Sequence, residues 1–193
     1  MNLVNYKSAL KTLKSGLPII FPTDTIPAIG CLPKFSKIIY ELKKRDRNKP
    51  LILMGFERKQ LIDYVHESAI ADYENMASKY WPGALTMVIP SSENKTEILT
   101  SKDNTIGLRV PNSHMAQSLL KETGPLLTSS ANISGFTGSI TAKGIALDFP
   151  FAEILGPIPW EKSSGRASTI ISWRKIGDWS LIREGGVLVK ELH

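Results

Sequence analysis

The sequence predicts an α/β protein in which helices and short apolar strands alternate around one sheet. Three observations predict this class. Hydrophobic residues make up 42% and charged residues 22% of the 193-residue chain, as in a soluble globular protein. Apolar residues recur at helical spacing in some stretches, and in others they form short runs bounded by glycine or proline. No repeat, low-complexity tract or long linker interrupts the chain, so we expect a single domain over residues 1–193.

The first predicted elements are a helix and a buried strand. Residues 5–15 carry an apolar stripe at helical spacing, and Gly16 ends that pattern. Residues 17–21 then form an apolar run closed by Pro22, which indicates a buried strand. The strand delivers the chain into a polar loop.

A second helix is predicted over residues 36–44. Its apolar positions recur at helical spacing, and a serine precedes them. We therefore expect Ser36 to be the N-cap, with Ile38, Ile39 and Leu42 facing inward.

The remaining elements follow the same two patterns. Residues 91–104 are polar and are expected to form a mobile excursion, whereas Trp81-Pro-Gly83 predicts a turn. The strand predicted over 165–173 begins with a loop of small residues. We predict helices over 57–65, 69–80, 113–123 and 141–149, and strands over 51–54, 85–89, 105–111, 125–127, 165–173 and 180–183.

The stretch 125–135 is the strongest candidate for the working site. Its apolar start breaks into small polar residues that end at Gly135, a pattern of a strand that runs into a loop of hydroxyl and amide groups. Such loops bind oxyanions, and ligands lie beyond the carboxyl ends of strands in α/β sheets. An ordinary Ser/Asn turn explains the stretch equally well. The polar residues are Thr128, Ser129, Ser130, Asn132 and Ser134.

Two other segments and one arginine could bind anions. Residues 22–30 hold two threonines and an aspartate after a strand, which could bind a small polar ligand or cap the next helix. Residues 43–49 are the densest basic run, either a phosphate site or a solvated loop. Arg109 lies in an apolar strand and requires an anionic partner, which is a protein carboxylate or a ligand.

Composition narrows the function classes. A net charge of +6 favours anionic partners such as nucleotides, pyrophosphate or RNA. The single cysteine, Cys31, excludes an internal disulfide and indicates a reducing compartment. No apolar run approaches the roughly 18 residues that span a membrane, and no signal peptide is evident, so we expect a cytoplasmic protein. The three histidines are scattered, and no P-loop, dinucleotide fingerprint or nucleophile elbow is present.

Several short motifs, taken in their order, resemble one family over residues 16–186. The motifs resemble those of the threonylcarbamoyl-AMP synthase family, the YrdC-type domain. No single motif identifies the family, but all seven occur in this chain in the order in which they occur in the family. They are Pro22-Thr-Asp-Thr25 with Gly30, Lys43-Lys-Arg45 with Asn48-Lys-Pro-Leu51, Trp81-Pro-Gly-Ala-Leu-Thr86, Gly107-Leu-Arg-Val-Pro111, Ser130-Ala-Asn132 with Ser134-Gly135, Ser168-Thr-Ile170 and Leu181-Ile-Arg183.

The resemblance implies a fold and a reaction. The fold is a twisted mixed parallel/antiparallel sheet with flanking helices and a basic concave cavity. The reaction joins L-threonine, bicarbonate and ATP into L-threonylcarbamoyladenylate and releases pyrophosphate. That product is used for the t6A modification at position 37 of tRNA. Mg²⁺ is expected to accompany ATP and not to occupy a dedicated protein site.

The resemblance also implies site residues. Lys43 and Arg45 would bind the triphosphate and the developing negative charge, while Ser130 and Asn132 would hold phosphate and the carbamate. These four are the expected catalytic residues, and no metal ligands are expected. The threonine and bicarbonate residues would be Thr23, Thr25, Thr128 and Ser168, and the nucleotide residues Arg45, Lys49, Thr86, Ser130 and Arg183.

Partners and departures complete the sequence-based hypothesis. The chain resembles the short form of the family, which lacks the extra C-terminal domain of longer members. The short form would pass its product to a separate transferase complex of the TsaD/TsaB/TsaE type. tRNA is expected as a further partner. Lys44, Asp46 and residues 26–29 depart from the family pattern. An alternative is a non-synthase paralogue that binds double-stranded RNA or tRNA. A carbamoyl-adenylate enzyme of hydrogenase maturation is disfavoured, because it would need zinc-finger cysteines.

Overall fold

Ten strands form one sheet in the computed structural model, which describes residues 1–98 and 103–190. Each strand is short, between three and seven residues. The strands are β1 (Asn2–Val4), β2 (Ile19–Phe21), β3 (Ala28–Cys31), β4 (Ile52–Met54), β5 (Leu85–Pro90), β6 (Thr105–Arg109), β7 (Leu126–Ser130), β8 (Glu153–Leu155), β9 (Thr169–Lys175) and β10 (Asp178–Arg183).

The sheet mixes parallel and antiparallel pairs. Its order is β1-β8-β2-β3-β7-β4-β6-β5-β9-β10. The parallel pairs are β1 with β8, β2 with β8, β4 with β6 and β5 with β9. The antiparallel pairs are β2 with β3, β3 with β7, β4 with β7, β5 with β6 and β9 with β10. The mixed sheet that the family resemblance implies is therefore confirmed.

The described residues form six α-helices that flank this sheet, with short 3₁₀ turns between several elements. No helix in the described residues is long and apolar enough to cross a membrane. The helices are α1 (Tyr6–Lys14), α2 (Lys37–Lys43), α3 (Arg58–Leu61), α4 (Ile70–Tyr80), α5 (His114–Thr123) and α6 (Ala142–Asp148). The 3₁₀ turns are Pro33–Phe35, Ile62–Tyr64, Glu67–Ala69 and Glu93–Ile98.

Side-chain caps explain where three of the predicted helices begin. The side-chain oxygen of Asn5 accepts a hydrogen bond from the Ser8 N–H at 3.0 Å, at the start of α1. Ser113 and Thr141 cap α5 and α6 in the same way. These residues satisfy N–H groups that have no partner inside a helix, which is why the helices begin at these residues.

The sheet is covered on both faces. Neighbouring residues of β2 show this, because Ile20 packs into one core cluster while Ile19 and Phe21 pack into the other. The first cluster contains buried residues of α2, α4 and α6, and the second those of α1 and α5. The two layers of helices exclude water from the sheet and hold its strand ends in place.

The prediction for α2 is partly wrong. Ser36 does not act as a side-chain N-cap, because the 3₁₀ turn before it runs directly into the helix and its N–H donates to Pro33 O at 3.2 Å. Leu42 is exposed, and Lys43 is buried instead. The buried stripe lies about one residue away from the predicted one, because the preceding turn sets the rotation of the helix against the sheet. Ile39 is buried as predicted.

Three strands were not predicted, and β7 extends three residues beyond its predicted end. The strands β1, β3 and β8 have three or four residues, too few for a periodic pattern to identify them. In β3, Gly30 lets Phe21 pack closely, since a Cβ there would lie 2.9 Å from the Phe21 ring. β7 continues to Ser130 because Thr128 to Ser130 pair with β3, so these polar residues belong to a strand and not to a loop.

Two further predictions need correction or stay open. The helix predicted over 57–65 is a single turn, Arg58–Leu61, followed by a 3₁₀ turn. The stretch 91–104 includes the 3₁₀ turn Glu93–Ile98, and its residues 99–102 lie outside the described residues. Its mobility stays a prediction.

Candidate active site

A polar loop after β2 connects three parts of the chain. The Thr23 hydroxyl donates to Ile26 O at 2.8 Å and accepts from the Thr25 N–H at 3.1 Å. Both threonines are buried. The hypothesis that these residues cap a helix is wrong, because a strand, β3, follows them. The hydrogen bonds within residues 23–26 hold the loop in one conformation between β2 and β3.

Arg109 is the main anchor of this loop. Its Nη2 lies 2.7 Å from Asp24 Oδ1, its Nη1 donates to Thr25 Oγ1 at 2.8 Å, and its Nε donates to Gly83 O at 3.2 Å. The arginine is 3% exposed. Of the two partners that the sequence left open, the protein carboxylate is therefore confirmed. Burial lowers the pKa of Arg109, and the Asp24 carboxylate opposes that shift.

Sequence reasoning considered Asp24 as part of a possible ligand-binding loop but did not pair it with Arg109. Asp24 Oδ1 also accepts the Asn112 N–H at 3.0 Å, so one carboxylate fixes both the loop and the turn after β6. A signal was present in the sequence. Asp24 is the only acidic residue in the first 40, whereas Arg109 required a carboxylate.

The loop contacts the chain on both sides. The Ala131 N–H donates to Pro27 O at 2.7 Å, which joins the loop to the end of β7. The Ser164 N–H donates to Asp24 O at 3.0 Å, and the Gly165 N–H to Thr25 O at 3.2 Å. The loop therefore bridges the segment after β7 and the segment before β9.

Lys43, Ser130 and Asn132 form one cluster beside the loop. The Lys43 ammonium contacts the main-chain oxygens of Ser130 and Asn132, and it lies 3.3 Å from Asn132 Oδ1. The Ser130 hydroxyl donates to Asn132 Oδ1 at 2.5 Å. Lys43 is 1% exposed, and burial lowers its pKa to about 8, with the charge of Arg45 acting in the same direction. The structure thus brings together three of the four predicted catalytic residues.

Arg45 and Lys49 lie on the basic loop after α2. Arg45 Nε donates to Lys49 O at 3.0 Å, and its Nη2 donates to Pro50 O at 2.9 Å. Arg45 is half-buried, while the Lys49 side chain is exposed. Burial lowers the pKa of Arg45. Two carbonyl groups fix the guanidinium, which leaves its Nη1 without a protein partner among the described residues.

Thr86, Ser168 and Arg183 form a second cluster on the other side of the loop. The hydroxyls of Thr86 and Ser168 lie 2.8 Å apart, and Arg183 Nη2 donates to Ser168 O at 2.8 Å. The chain after Arg183 packs against the loop, since a Cβ at Gly186 would lie 3.6 Å from Ala167 O and 3.7 Å from Thr25 Cγ2. Burial lowers the pKa of Arg183 itself.

Thr128 takes a different position from its predicted companions. Its hydroxyl donates to Ile52 O at 2.9 Å, between β7 and β4, and the residue is 1% exposed. Its Cα pairs with those of Gly30 and Ile52 in the sheet. The Thr128 hydroxyl is therefore engaged within the sheet, two residues from Ser130.

Two buried hydroxyls next to the loop lack hydrogen-bond partners among the described residues, those of Ser134 and Ser163. Ser134 follows the Lys43 cluster, and its N–H donates to Lys43 O at 3.1 Å. Ser163 precedes the residue whose N–H donates to Asp24 O. A buried polar group without a partner costs about 1–3 kcal/mol, so a polar ligand atom or a water would stabilise each of them. Sequence reasoning named Ser134 as one of the polar residues of the candidate stretch 125–135, and it did not name Ser163.

The arrangement can hold anionic groups. Guanidinium, hydroxyl and amide groups from separate elements meet around one loop, and such groups stabilise phosphate and carboxylate oxygens. Within the part of the chain that the structure describes, no group of three His, Cys, Asp or Glu side chains could hold a metal ion.

At the second cluster, the main chain of residues 167–169 packs directly against Gly185. A Cβ there would lie 2.3 Å from Ala167 O and from the Ser168 carbonyl carbon. We expect Gly185→Ala to lower the free energy of unfolding by about 1–3 kcal/mol, because main-chain atoms must move. Urea unfolding measures the effect. Gly107→Ala is the matched control and should stay within about 1 kcal/mol, since its Cβ would meet its neighbours at 3.5 Å or more. Equal losses would contradict this account.

The comparisons with known proteins place the chain in a family. A family model for Sua5, YciO and YrdC, described as "Telomere recombination", matches residues 11–185. The chain belongs to the Sua5/YciO/YrdC family. A threonylcarbamoyl-AMP synthase of Idiomarina loihiensis is 32% identical over 149 residues, which are 75% of this chain and 80% of that protein. Another, from Buchnera aphidicola, is 28% identical over 96% of this chain and all of that protein. These names denote enzymes that make an adenylate, a nucleotidyltransferase-type reaction.

Solved structures of the Sua5/YciO/YrdC family share the fold. Pyrococcus abyssi Sua5 complexed with L-threonine is 28% identical and superposes with a TM-score of 0.86 over 96% of this chain. That alignment covers 58% of the Sua5 chain, so the present chain spans less than two thirds of that relative. Escherichia coli YciO superposes with a TM-score of 0.81 at 22% identity, which supports the fold alone. The mixed sheet with flanking helices is thus common to the family.

Proposed function

We propose that this protein makes L-threonylcarbamoyladenylate from L-threonine, bicarbonate and ATP, with release of pyrophosphate. The observation that carries the proposal is the loop after β2. Through Pro27 it contacts the segment that holds Ser130 and Asn132, and through Thr25 it contacts the segment that precedes Ser168. A ligand with an anionic end and a small polar end fits such an arrangement. The synthase names of its relatives and the L-threonine bound to Sua5 agree with this proposal.

The nucleotide end of the proposed site is basic. Arg45 is fixed by two carbonyl groups and has a free edge for phosphate, and Lys49 adds an exposed ammonium. Arg183 carries a second guanidinium next to Ser168. We assign these groups, with Thr86 and the Ser130 hydroxyl, to ATP. Mg²⁺ enters as part of the Mg–ATP substrate.

The threonine end of the proposed site consists of buried hydroxyls. Thr23 and Thr25 line the loop, and their hydroxyl oxygens lie 3.1 Å apart. The Ser168 hydroxyl faces the Thr86 hydroxyl, and the Thr128 hydroxyl donates to Ile52 O in β4. We assign these residues to L-threonine and bicarbonate, because hydroxyls both donate to and accept from a small polar substrate.

The proposed chemistry depends on orientation and charge stabilisation. The neutral amine of L-threonine attacks the carbon of bicarbonate, a C–N bond forms and water leaves, which yields the carbamate. A carbamate oxygen then attacks the α-phosphorus of ATP, and the bond to the β-phosphate oxygen breaks to release pyrophosphate. We assign the stabilisation of the charge that develops in these steps to the free edge of the Arg45 guanidinium, and the binding of the carbamate to the segment that holds Ser130 and Asn132.

A concentration of positive charge supports a second candidate function, RNA binding. The first 49 residues carry ten lysine and arginine residues and three acidic ones. Lys7, Lys11 and Lys14 on α1 and Lys34 and Lys37 near α2 are exposed. Phosphate contacts by such lysines bind RNA in a salt-dependent manner. We propose tRNA as a partner, and a separate t6A transferase complex in the cytoplasm as the acceptor of the adenylate.

Pyrophosphate release tests the proposed function. Purified protein receives ATP, Mg²⁺ and bicarbonate, with L-threonine, without it, or with L-valine, which lacks the hydroxyl. We expect release only with L-threonine, together with a product of the mass of threonylcarbamoyl-AMP. Release without L-threonine would indicate a different adenylating reaction. No release, combined with tRNA binding that weakens as salt rises, would favour the RNA-binding alternative.

A further inference from the structure

Lys43 has no N–H donor left for a substrate. It ends α2 and is 1% exposed, and its ammonium contacts two main-chain oxygens, those of Ser130 and Asn132. The third neighbour is Asn132 Oδ1, at 3.3 Å. An ammonium has three N–H donors, and three protein oxygens surround this one.

The main chain of Lys43 is joined to the same turn. The Ser134 N–H donates to Lys43 O at 3.1 Å, so the backbone and the side chain of Lys43 both hold residues 130–134. A buried charge needs this kind of compensation, because an unpaired ammonium in the core is very costly.

These contacts determine the orientation of the Asn132 amide. Its Oδ1 faces the Lys43 ammonium and accepts from the Ser130 hydroxyl at 2.5 Å. Its Nδ2 donates to Ile133 O at 3.0 Å and to Phe136 O at 2.7 Å. With all neighbours of Oδ1 donors and all neighbours of Nδ2 acceptors, the reversed amide would lose every one of these bonds. Lys43 therefore sets the geometry of both Ser130 and Asn132.

We propose that Lys43 is a positioning residue, which holds Ser130 and Asn132 in their working geometry and does not itself contact the phosphates of ATP. The proposal rests on the proposed function and assigns to Lys43 a different role from the triphosphate contact that the resemblance implies. Arg45, two residues further along, keeps the role of phosphate ligand because part of its guanidinium is free.

Steady-state kinetics test this role. We expect Lys43→Met to lower kcat for pyrophosphate release about 100-fold and to leave KM for ATP within about threefold, because no contact with ATP is lost. Asn132→Ala should cause a similar loss. The double variant should be no more than about threefold slower than Asn132→Ala alone, since both changes disturb the same unit.

Two further variants complete the kinetic test, one as a control and one as an alternative substitution. Lys44→Met changes an exposed neighbouring lysine that makes no side-chain hydrogen bond in the described structure, and it should stay within about twofold of the unchanged protein. Lys43→Gln keeps hydrogen-bond donors, and it is the second variant if Lys43→Met does not fold. Because those donors replace part of the contacts of Lys43, a smaller loss, in kcat alone, is expected for it. A tenfold or larger rise in KM for ATP, or losses that multiply in the double variant, would overturn the proposal.

Hydrogen exchange separates this proposal from the proposed function. Without substrates, the amides of Asn132, Ser134 and Phe136 should exchange at least tenfold faster in Lys43→Met than in the unchanged protein, and at an unchanged rate in Lys44→Met. If the unchanged protein releases no pyrophosphate but its exchange responds in this way, the proposed function fails and the positioning role stands. Unchanged exchange in Lys43→Met would overturn the positioning role whatever the activity.

Discussion

Replacing Arg109 with alanine is expected to lower the free energy of unfolding by about 3–5 kcal/mol. The guanidinium is 3% exposed and binds Asp24, Thr25 and Gly83 at once. Its removal leaves a partly buried carboxylate and two further acceptors without their donor. Urea unfolding and thermal melting measure the loss, and a shift of about 10 °C in Tm corresponds to it in a chain of this size.

A second ion pair provides the control for Arg109. Arg58 Nε lies 3.5 Å from Glu74 Oε2, and both side chains are more than one third exposed. Exposed pairs contribute little, so Arg58→Ala should cost less than about 1 kcal/mol. The double variant of Arg109→Ala with Asp24→Ala should cost less than the sum of the single changes, because they share one interaction. A loss below about 1 kcal/mol in Arg109→Ala would show that the loop does not depend on this ion pair.

Arg45→Ala is expected to lower kcat/KM for ATP about 100-fold, if the proposed function is right. The guanidinium is fixed by the carbonyl groups of Lys49 and Pro50, so its free edge is oriented before a phosphate arrives. Fixed donors stabilise developing charge more than mobile ones do, since less reorganisation is needed. Pyrophosphate release at several ATP concentrations gives the ratio.

Arg47→Ala is the matched control for Arg45. It removes the same charge from the same loop, but Arg47 is exposed and makes no side-chain hydrogen bond among the described residues. We expect activity within about twofold of the unchanged protein. If both variants lost activity equally, the effect would come from the net charge of the loop and not from a positioned guanidinium.

The candidate site was predicted in part because its residues cluster in short motifs. The Ser130-Ala-Asn132 stretch, the basic loop and the Thr23-Asp-Thr25 segment each contain polar residues that a strand end or a tight turn presents. Their distances could not be predicted, because residues such as Asp24 and Arg109 are 85 positions apart and periodicity reports only on local neighbours. Thr128 shows the same limit, since its hydroxyl bonds to Ile52 O, 76 positions away.

The sequence by itself determined the α/β class, the starts of α1, α5 and α6, and the motifs that identify the family. The spacing of apolar residues, the N-cap residues and the glycines that bound each element predict these features from neighbours in the sequence. Only the tertiary structure decided that Lys43 is buried where Leu42 was expected, that β7 extends through Ser130, and that Asp24 is the partner of Arg109. The physical reason is common to all three. Each depends on residues distant in sequence: the Lys43 ammonium contacts main-chain oxygens 87 and 89 positions away, β3 supplies hydrogen-bond partners to β7, and the burial of Arg109 demands the Asp24 counter-charge.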